Sequence, residues 1–180
     1  MPLSPEEKRQ NRIDRMVDTM RQYQLQRCVS NTAKALQKAI RAEYACRQIQ
    51  PCMSEGRFVA MLTLEGECVC VTCGVGKPWN ASNHLGSDGI DAGHFLGGRC
   101  NAIILDERGI HPQCTACNRN GGNPEMYNAY MLHRYGQEVI DELKRAKAQK
   151  RVTYTRHELA ERRVDYLDRI KAAERRMSDV

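Results

Sequence analysis

Two pairs of cysteines constrain the fold of this chain more than any other feature. Each pair has the spacing Cys-x-x-Cys, and 40 residues separate them: Cys70 with Cys73, and Cys114 with Cys117. Two such pairs can close one tetrahedral zinc site, because each pair forms a tight turn that presents two thiolates. We therefore predict a closed, structural zinc site, the alternative being four inert buried thiols. The separation exceeds the roughly 15 to 20 residues of a simple zinc ribbon, which indicates an inserted segment.

The composition predicts a small core in a reducing compartment. Of the 180 residues, 41% are hydrophobic and 6% aromatic, so a metal ion would usefully stabilise a modest core. Nine cysteines is an odd number and four have metal-ligand spacing, which favours zinc binding in the cytoplasm over a disulfide framework. No run of about 18 apolar residues predicts a membrane span, and the N-terminus lacks the apolar core of a signal peptide. We expect no membrane association.

Charge is distributed unevenly along the chain. The net charge is +5 over residues 1–50, −3 over residues 51–140 and +4 over residues 141–180. Basic ends around a mildly acidic centre suit a protein that holds a polyanion at its edges and a divalent cation in the middle. The alternative is two helical faces that are simply solvated.

The N-terminal segment is predicted to be helical. Ser4 and Glu7 form a capping box with Pro5 at the first helical position, and neither a glycine nor another proline occurs between Pro5 and Gln50. Such a long helix either breaks near residues 30–32 or packs on a second chain. Apolar residues recur along this segment at helical spacing and form a long stripe. In a monomer, three side chains of the stripe would be left partly exposed: Met20, Leu36 and Ile40. This exposure favours a homodimer that forms through this helix.

Short strands and further helices are predicted downstream. The strands are residues 57–64, 68–71, 90–96 and 102–105, and residues 51–69 read as an added hairpin. One helix is capped by Asn123 and interrupted at Gly136. A second helix begins at the capping box of Thr155 and Glu158.

The insertion between the cysteine pairs carries the candidate chemistry. Asp91 and His94 lie on a predicted strand, and Asn118 directly follows the last cysteine. Imidazole titrates near neutral pH and can deprotonate water, while carboxylate and amide oxygens suit Mg²⁺. The alternatives are a structural histidine and an ordinary helix-capping asparagine.

These motifs resemble the NinG family of lambdoid phages, also called Rap. The similar segments are CVTCG, DAGHF, IHPQCTACN and YGQEVIDEL, and the resemblance covers about residues 33–180. It implies a recombination nuclease for branched DNA in the bacterial host cell, with an HNH-like zinc module. It also implies that His94 is the general base and that Asp91 and Asn118 are ligands of Mg²⁺ or Mn²⁺. The family's Ile-His-x-Gln-Cys segment corresponds to residues 110–114, which adds His111 as a candidate site residue. His111 either completes the metal site or orients His94, or it only packs beside the zinc turns.

Three departures from the HNH pattern stand out. Most HNH sites place the acid immediately before the base, whereas Gly93 intervenes here. The usual asparagine before the second cysteine pair would fall near Gly109, with Asn101 as a weak substitute, and Asn120 stands where members of the NinG family have a histidine. Arg99 and Arg119 flank the site and could bind DNA phosphates, although surface arginines are common.

The overall expectation is an α+β fold. A zinc-stapled ββα-metal (HNH-like) finger at residues 51–135 lies between long basic helical regions at residues 1–50 and 136–180. The expected function is a metal-dependent endonuclease that cleaves branched DNA, such as Holliday junctions and D-loops, as a homodimer. The alternatives are a non-catalytic zinc module that binds DNA and a nonspecific HNH DNase.

Overall fold

The computed structural model describes residues 2–81, 89–98, 100–149 and 152–178. The helices are α1 (Pro5–Arg21), α2 (Leu25–Ala45), α3 (Thr115–Arg119), α4 (Pro124–Gln149) and α5 (Arg156–Ser178). The strands are β1 (Ile49–Ser54), β2 (Arg57–Leu62), β3 (Glu67–Val69), β4 (Gly76–Pro78), β5 (Ile90–His94) and β6 (Ile110–Cys114). The predicted α+β class is confirmed.

The N-terminal helix begins as predicted but ends earlier. Ser4 and Glu7 form the full capping box, with the Ser4 amide 2.7 Å from the Glu7 carboxylate. The chain leaves the helix after Arg21 rather than near residues 30–32. The guanidinium of Arg156 donates to the carbonyls of Met20 at 3.3 Å and Tyr23 at 3.1 Å. A side chain from α5 therefore satisfies backbone groups that the break exposes.

Helix α5 packs against both α1 and α2. Ion pairs join it to α1 through Arg9 and Asp165 at 2.8 Å, and to α2 through Arg169 and Glu43 at 2.6 Å. The predicted exposure of the long apolar stripe is wrong, because side chains of α5 complete the same hydrophobic cluster. Its three members are buried within one chain: Met20, Leu36 and Ile40. The stripe therefore gives no reason for a second chain to cover this surface.

The strands form three antiparallel pairs, β1 with β2, β3 with β4, and β5 with β6. The predicted strand at residues 102–105 is wrong, because this segment consists of turns in which the amide of Ile104 donates to the Cys100 carbonyl at 3.0 Å. The partner of β5 is instead β6, with Ile90 opposite Cys114 and His94 opposite Ile110. Helix α3 follows β6 directly, so the order is strand, strand, short helix.

Helices α4 and α5 agree with the sequence pattern. Gly136 has φ 82° and ψ 170°, which kinks α4 at the predicted interruption. The Thr155 amide donates to the Glu158 carboxylate at 2.7 Å, as a capping box requires. None of the helices in the described part of the chain is long and apolar enough to cross a membrane.

Candidate active site

The four predicted zinc ligands come together. The Sγ atoms of Cys70, Cys73, Cys114 and Cys117 all lie within 4.8 Å of one another. Cys70 and Cys73 follow β3, while Cys114 ends β6 and Cys117 lies on α3. A zinc–sulfur distance of about 2.3 Å in a tetrahedron places sulfurs about 3.8 Å apart, and Sγ of Cys73 is 3.8 Å from Sγ of Cys114. The cluster therefore has the spacing that holds a zinc ion.

The thiols of this cluster must lose their protons to bind a metal ion. Burial raises the pKa of the Cys114 thiol to about 11, and the neighbouring Cys70 sulfur adds to the shift. Four thiolates at these separations repel one another unless a cation neutralises them. Cys68 lies outside the cluster, because its thiol donates to the Arg41 carbonyl at 3.0 Å.

Asp91 and Asn118 meet beside the cysteine cluster. Helix α3 begins immediately after Cys114, so the second cysteine turn fixes the position of Asn118 one residue beyond Cys117. The Asn118 amide Nδ2 lies 3.1 Å from the Asp91 carboxylate on β5. Asn118 is thus an inner residue of α3 bonded to the predicted carboxylate, whereas Cys114 occupies the N-cap position. The two residues are placed where they could share a divalent cation.

His94 ends β5 and is half-buried. Its Nε2 lies 3.5 Å from the Ile104 carbonyl. Because a carbonyl only accepts hydrogen bonds, this contact places the ring proton on Nε2 and the basic lone pair on Nδ1. Burial lowers the pKa of His94 below its ordinary value, which keeps the imidazole neutral near pH 7.

A cleft of about 490 Å³, here called the His94 cleft, opens beside His94 and Asn118. His94 and Asn118 line one wall with Gly121 and Gly122. The polar face of α2 lines the other, with residues spaced by three or four positions: Gln26, Ser30, Lys34 and Gln37. Among the described residues that line the cleft, none carries a carboxylate, so its charge suits an anionic ligand.

His111 lies on β6, opposite Gly93, and its ring is enclosed by tyrosines. Its ring is 1% exposed and lies within a tyrosine cluster formed by Tyr44, Tyr127, Tyr130 and Tyr135. Nδ1 is 3.1 Å from the Tyr127 hydroxyl and Nε2 is 3.0 Å from the Tyr135 hydroxyl. Burial lowers the pKa of His111 to about 3, so the ring is neutral.

One hydrogen-bond direction follows for the tyrosine cluster. The Tyr127 hydroxyl donates to the Gly93 carbonyl at 2.9 Å, so it accepts from Nδ1–H of His111. Nε2 of His111 then accepts from the Tyr135 hydroxyl. Of the two roles considered for His111, this geometry fits the packing role. His111 contacts the backbone next to His94 only through the Tyr127 hydroxyl, which is bonded to the Gly93 carbonyl.

The two candidate DNA-binding arginines differ in what is described. Arg119 is exposed at the end of α3, directly after Asn118. Arg99 lies outside the described residues.

Lys34 and Gln113 were not singled out by sequence reasoning. Lys34 is one of many surface lysines in the sequence, whereas Gln113 lies in the IHPQC segment that carries the family resemblance.

Comparison with known proteins identifies the family. The family model described as Bacteriophage Lambda NinG protein matches residues 58–176, which is about two thirds of the chain. The chain belongs to the NinG family. The match includes the cysteine cluster, His94, Asn118, α4 and most of α5, whereas α1 and α2 lie outside the matched residues.

Curated relatives in the NinG family come from phages. The chain is 36% identical over 76 residues to Protein ninG of Escherichia phage 933W, covering 41% of this chain and 33% of the relative. It is 38% identical over 68 residues to Protein ninG of Enterobacteria phage H19B, covering 37% and 34%. It is 30% identical over 104 residues to Protein ninG of Salmonella phage P22, covering 57% and 46%. The chain thus spans between a third and a half of these relatives, and no solved structure matches it significantly.

Proposed function

We propose that this NinG-family chain is a metal-dependent endonuclease that cleaves branched DNA, such as Holliday junctions and D-loops, in the cytoplasm of the bacterial host. The observation that carries the proposal is the convergence of His94 and Asn118 on one cleft, with Asp91 bonded to Asn118. A neutral imidazole, a carboxylate and an amide beside a cysteine cluster have the composition of an HNH-type nuclease site. The strand, strand, helix order of β5, β6 and α3 agrees with a ββα-metal finger.

Each residue has a distinct role in the proposed hydrolysis. His94 accepts a proton from water at Nδ1, because its Nε2 proton is directed at the Ile104 carbonyl. Asp91 and Asn118 are the residues that would hold Mg²⁺ or Mn²⁺. Such an ion, when bound, neutralises charge on the scissile phosphate and the leaving oxygen. The four cysteines of the cluster would hold a structural zinc that fixes α3 and hence Asn118.

The His94 cleft provides a path for the scissile strand. Its α2 wall presents Lys34 among uncharged polar side chains, so a phosphate in the cleft meets a cation and hydrogen-bonding groups. Arg119 at the end of α3 extends this positive charge beyond Asn118. Most of the affinity should be electrostatic and salt-dependent, since these contacts are to phosphate rather than to base edges.

A homodimer is part of the proposal. A four-way junction is two-fold symmetric, so paired cuts need two active sites related by the same symmetry. The α1–α2 surface is covered by α5 within one chain, and the dimer contact is therefore expected elsewhere. Light scattering at micromolar concentration should give twice the chain mass, and a monomer that makes paired cuts would contradict the dimer.

Cleavage of an immobile four-way junction, compared with a linear duplex of the same sequence, tests the function. With zinc-loaded protein and Mg²⁺ or Mn²⁺, we expect cuts in the junction, few cuts in the duplex, and none when both cations are omitted. Equal cleavage of both substrates would instead assign a nonspecific DNase. Binding of the junction without cleavage under any metal condition would assign a non-catalytic zinc module.

A further inference from the structure

Gln113 is a buried glutamine with one polar atom that lacks a protein partner. The side chain lies on β6, directly across from Asp91 on β5, and the residue is 0% exposed. Its Oε1 accepts no hydrogen bond from the described protein atoms. A buried amide oxygen without a partner destabilises the folded state, so its retention calls for a ligand.

The orientation of the Gln113 amide is fixed by its other end. Nε2 donates to the Gly122 carbonyl at 2.7 Å and to the Thr72 hydroxyl at 3.3 Å. Because a carbonyl cannot donate, exchanging the amide oxygen and nitrogen would place two acceptors against each other. Oε1 must therefore point away from Gly122.

Oε1 of Gln113 points at Gly93 and the neighbouring Asn118. A Cβ atom built on Gly93 would collide with Oε1 and would lie 3.1 Å from Oδ1 of Asn118. The same Asn118 side chain is bonded to Asp91 through Nδ2. Oxygen atoms from β5, β6 and α3 thus converge on the side of β5 that carries Asp91, and the missing side chain of Gly93 leaves room for them.

The cysteine cluster helps to position Gln113. The Thr72 hydroxyl that receives its Nε2–H lies 3.2 Å from Sγ of Cys70. The side chain is therefore held between the first cysteine turn and the loop after α3. A side chain fixed at both sides delivers its oxygen to one place, as a metal ligand must.

We propose that Oε1 of Gln113 is a third protein oxygen ligand of the divalent cation held by Asp91 and Asn118, an inference that rests on the proposed function. A carboxylate and two amide oxygens are hard donors of the kind that Mg²⁺ and Mn²⁺ take, with water completing the coordination. Gly93 is required because any side chain there would displace Oε1. Gln113 also explains how a chain with glycine immediately before His94 assembles an oxygen site.

Direct measurement of Mn²⁺ binding tests this role without DNA or cleavage. Zinc-loaded wild-type protein and two variants, Gln113→Met and Gln50→Met, are titrated with Mn²⁺, and free Mn²⁺ is followed by electron paramagnetic resonance. Gln50 is the matched control, because it is also buried on a strand, but its Oε1 accepts from the Val69 amide at 2.9 Å. We expect Gln113→Met to weaken Mn²⁺ binding at least tenfold and Gln50→Met to leave it within twofold.

The outcomes separate this inference from the proposed function. Wild-type affinity in zinc-loaded Gln113→Met would overturn the role of Gln113 and leave the nuclease proposal intact. Absence of Mn²⁺ binding by the wild-type protein at millimolar concentration would overturn both. If Gln113→Met does not fold, Gln113→Glu decides, because a carboxylate beside Asp91 should make the thermal midpoint rise more with Mn²⁺ than in the wild type. An equal rise in the two proteins would also contradict the role of Gln113.

Discussion

The His94 cleft and the tyrosine cluster around His111 lie on the same strand pair, but their histidines differ in exposure and in hydrogen bonding. His94 stands opposite Ile110, one position from the pair formed by Gly93 and His111. His94 is half-buried at the edge of a cleft, with its Nε2 3.5 Å from the Ile104 carbonyl. His111 is sealed, and tyrosine hydroxyls occupy both of its ring nitrogens. The difference teaches that available lone pairs and access, rather than proximity in sequence, assign chemistry to one histidine and packing to the other.

Removing the shared zinc support should have the largest effect on both regions. We predict that Cys114→Ser loses zinc and folds poorly, because structural zinc sites contribute on the order of 10 kcal/mol to folding. Elemental analysis and circular dichroism measure this, with about one zinc per chain expected in the wild type. Cys68→Ser is the matched control, since Cys68 lies outside the cluster. A well-folded wild-type protein without zinc would contradict the metal assignment for the whole strand pair.

Substitution in the tyrosine cluster should affect stability rather than chemistry. His111→Ala leaves the Tyr135 hydroxyl without its acceptor and opens a cavity beside Tyr127, so we expect a loss of about 2–4 kcal/mol. Urea unfolding followed by circular dichroism gives this value. At urea concentrations below the unfolding midpoint of His111→Ala, the rate of junction cleavage by this variant should stay within about tenfold of the wild-type rate. A 10²-fold lower rate with unchanged stability would move His111 into the mechanism.

The pH dependence of the cleavage rate should reflect the titration of His94 in the cleft and not that of His111. Burial lowers the pKa of His94, so the base form persists below the ordinary value of about 6.5 and the rate should fall only at lower pH. Protonated His94 cannot accept a proton, which gives a tenfold loss per pH unit below its pKa. Single-turnover rates between pH 5 and 8 at constant ionic strength measure this limb, over the range where the protein stays folded. A midpoint well above pH 6.5 would contradict a desolvated base.

The smallest expected effect concerns the α2 wall of the His94 cleft. Lys34→Gln should reduce the salt dependence of junction binding by about 0.7–0.9 in the slope of log K against log salt, the loss expected for one phosphate contact. Lys38→Gln is the control on the same helix, because Lys38 pairs with Glu174 at 3.3 Å. Fluorescence anisotropy of the zinc-loaded protein without added Mg²⁺ or Mn²⁺ measures binding without cleavage. Equal slopes for Lys34→Gln and the wild type would remove Lys34 from the strand path.

Local signals in the sequence predicted the parts of the fold that depend on neighbouring residues. Both capping boxes, the kink at Gly136 and the cysteine cluster follow from spacings of a few residues. The end of α1 could not be predicted this way, since Arg156 reaches it from 136 residues away. For the same reason, the burial of Leu36 requires knowledge of where α5 packs.

The second strand of the site was missed for a physical reason. Proline cannot donate to a strand ladder, so the Ile-His-Pro-Gln-Cys segment does not read as a strand. In the structure, Pro112 lies within the two-stranded β5–β6 pair and uses its carbonyl to accept from the Val71 amide at 2.9 Å. With β6 in place, Gln113 comes to lie opposite Asp91 and His111 turns into the tyrosine cluster. Asp91 and Asn118 could thus be paired from the sequence, whereas the place of Gln113 opposite Asp91 required the register of β5 and β6.

The most direct test of the central claim is the single-turnover rate of junction cleavage by His94→Ala. With Mg²⁺ and saturating protein, we expect a rate 10²–10⁴ lower than that of the wild type, because the variant lacks its general base. Junction affinity, zinc content and the unfolding midpoint should stay at wild-type values, since His94 forms no ion pair with the described residues and ends its strand. Near-normal turnover by the folded, zinc-loaded variant would contradict the placement of the chemistry in the His94 cleft.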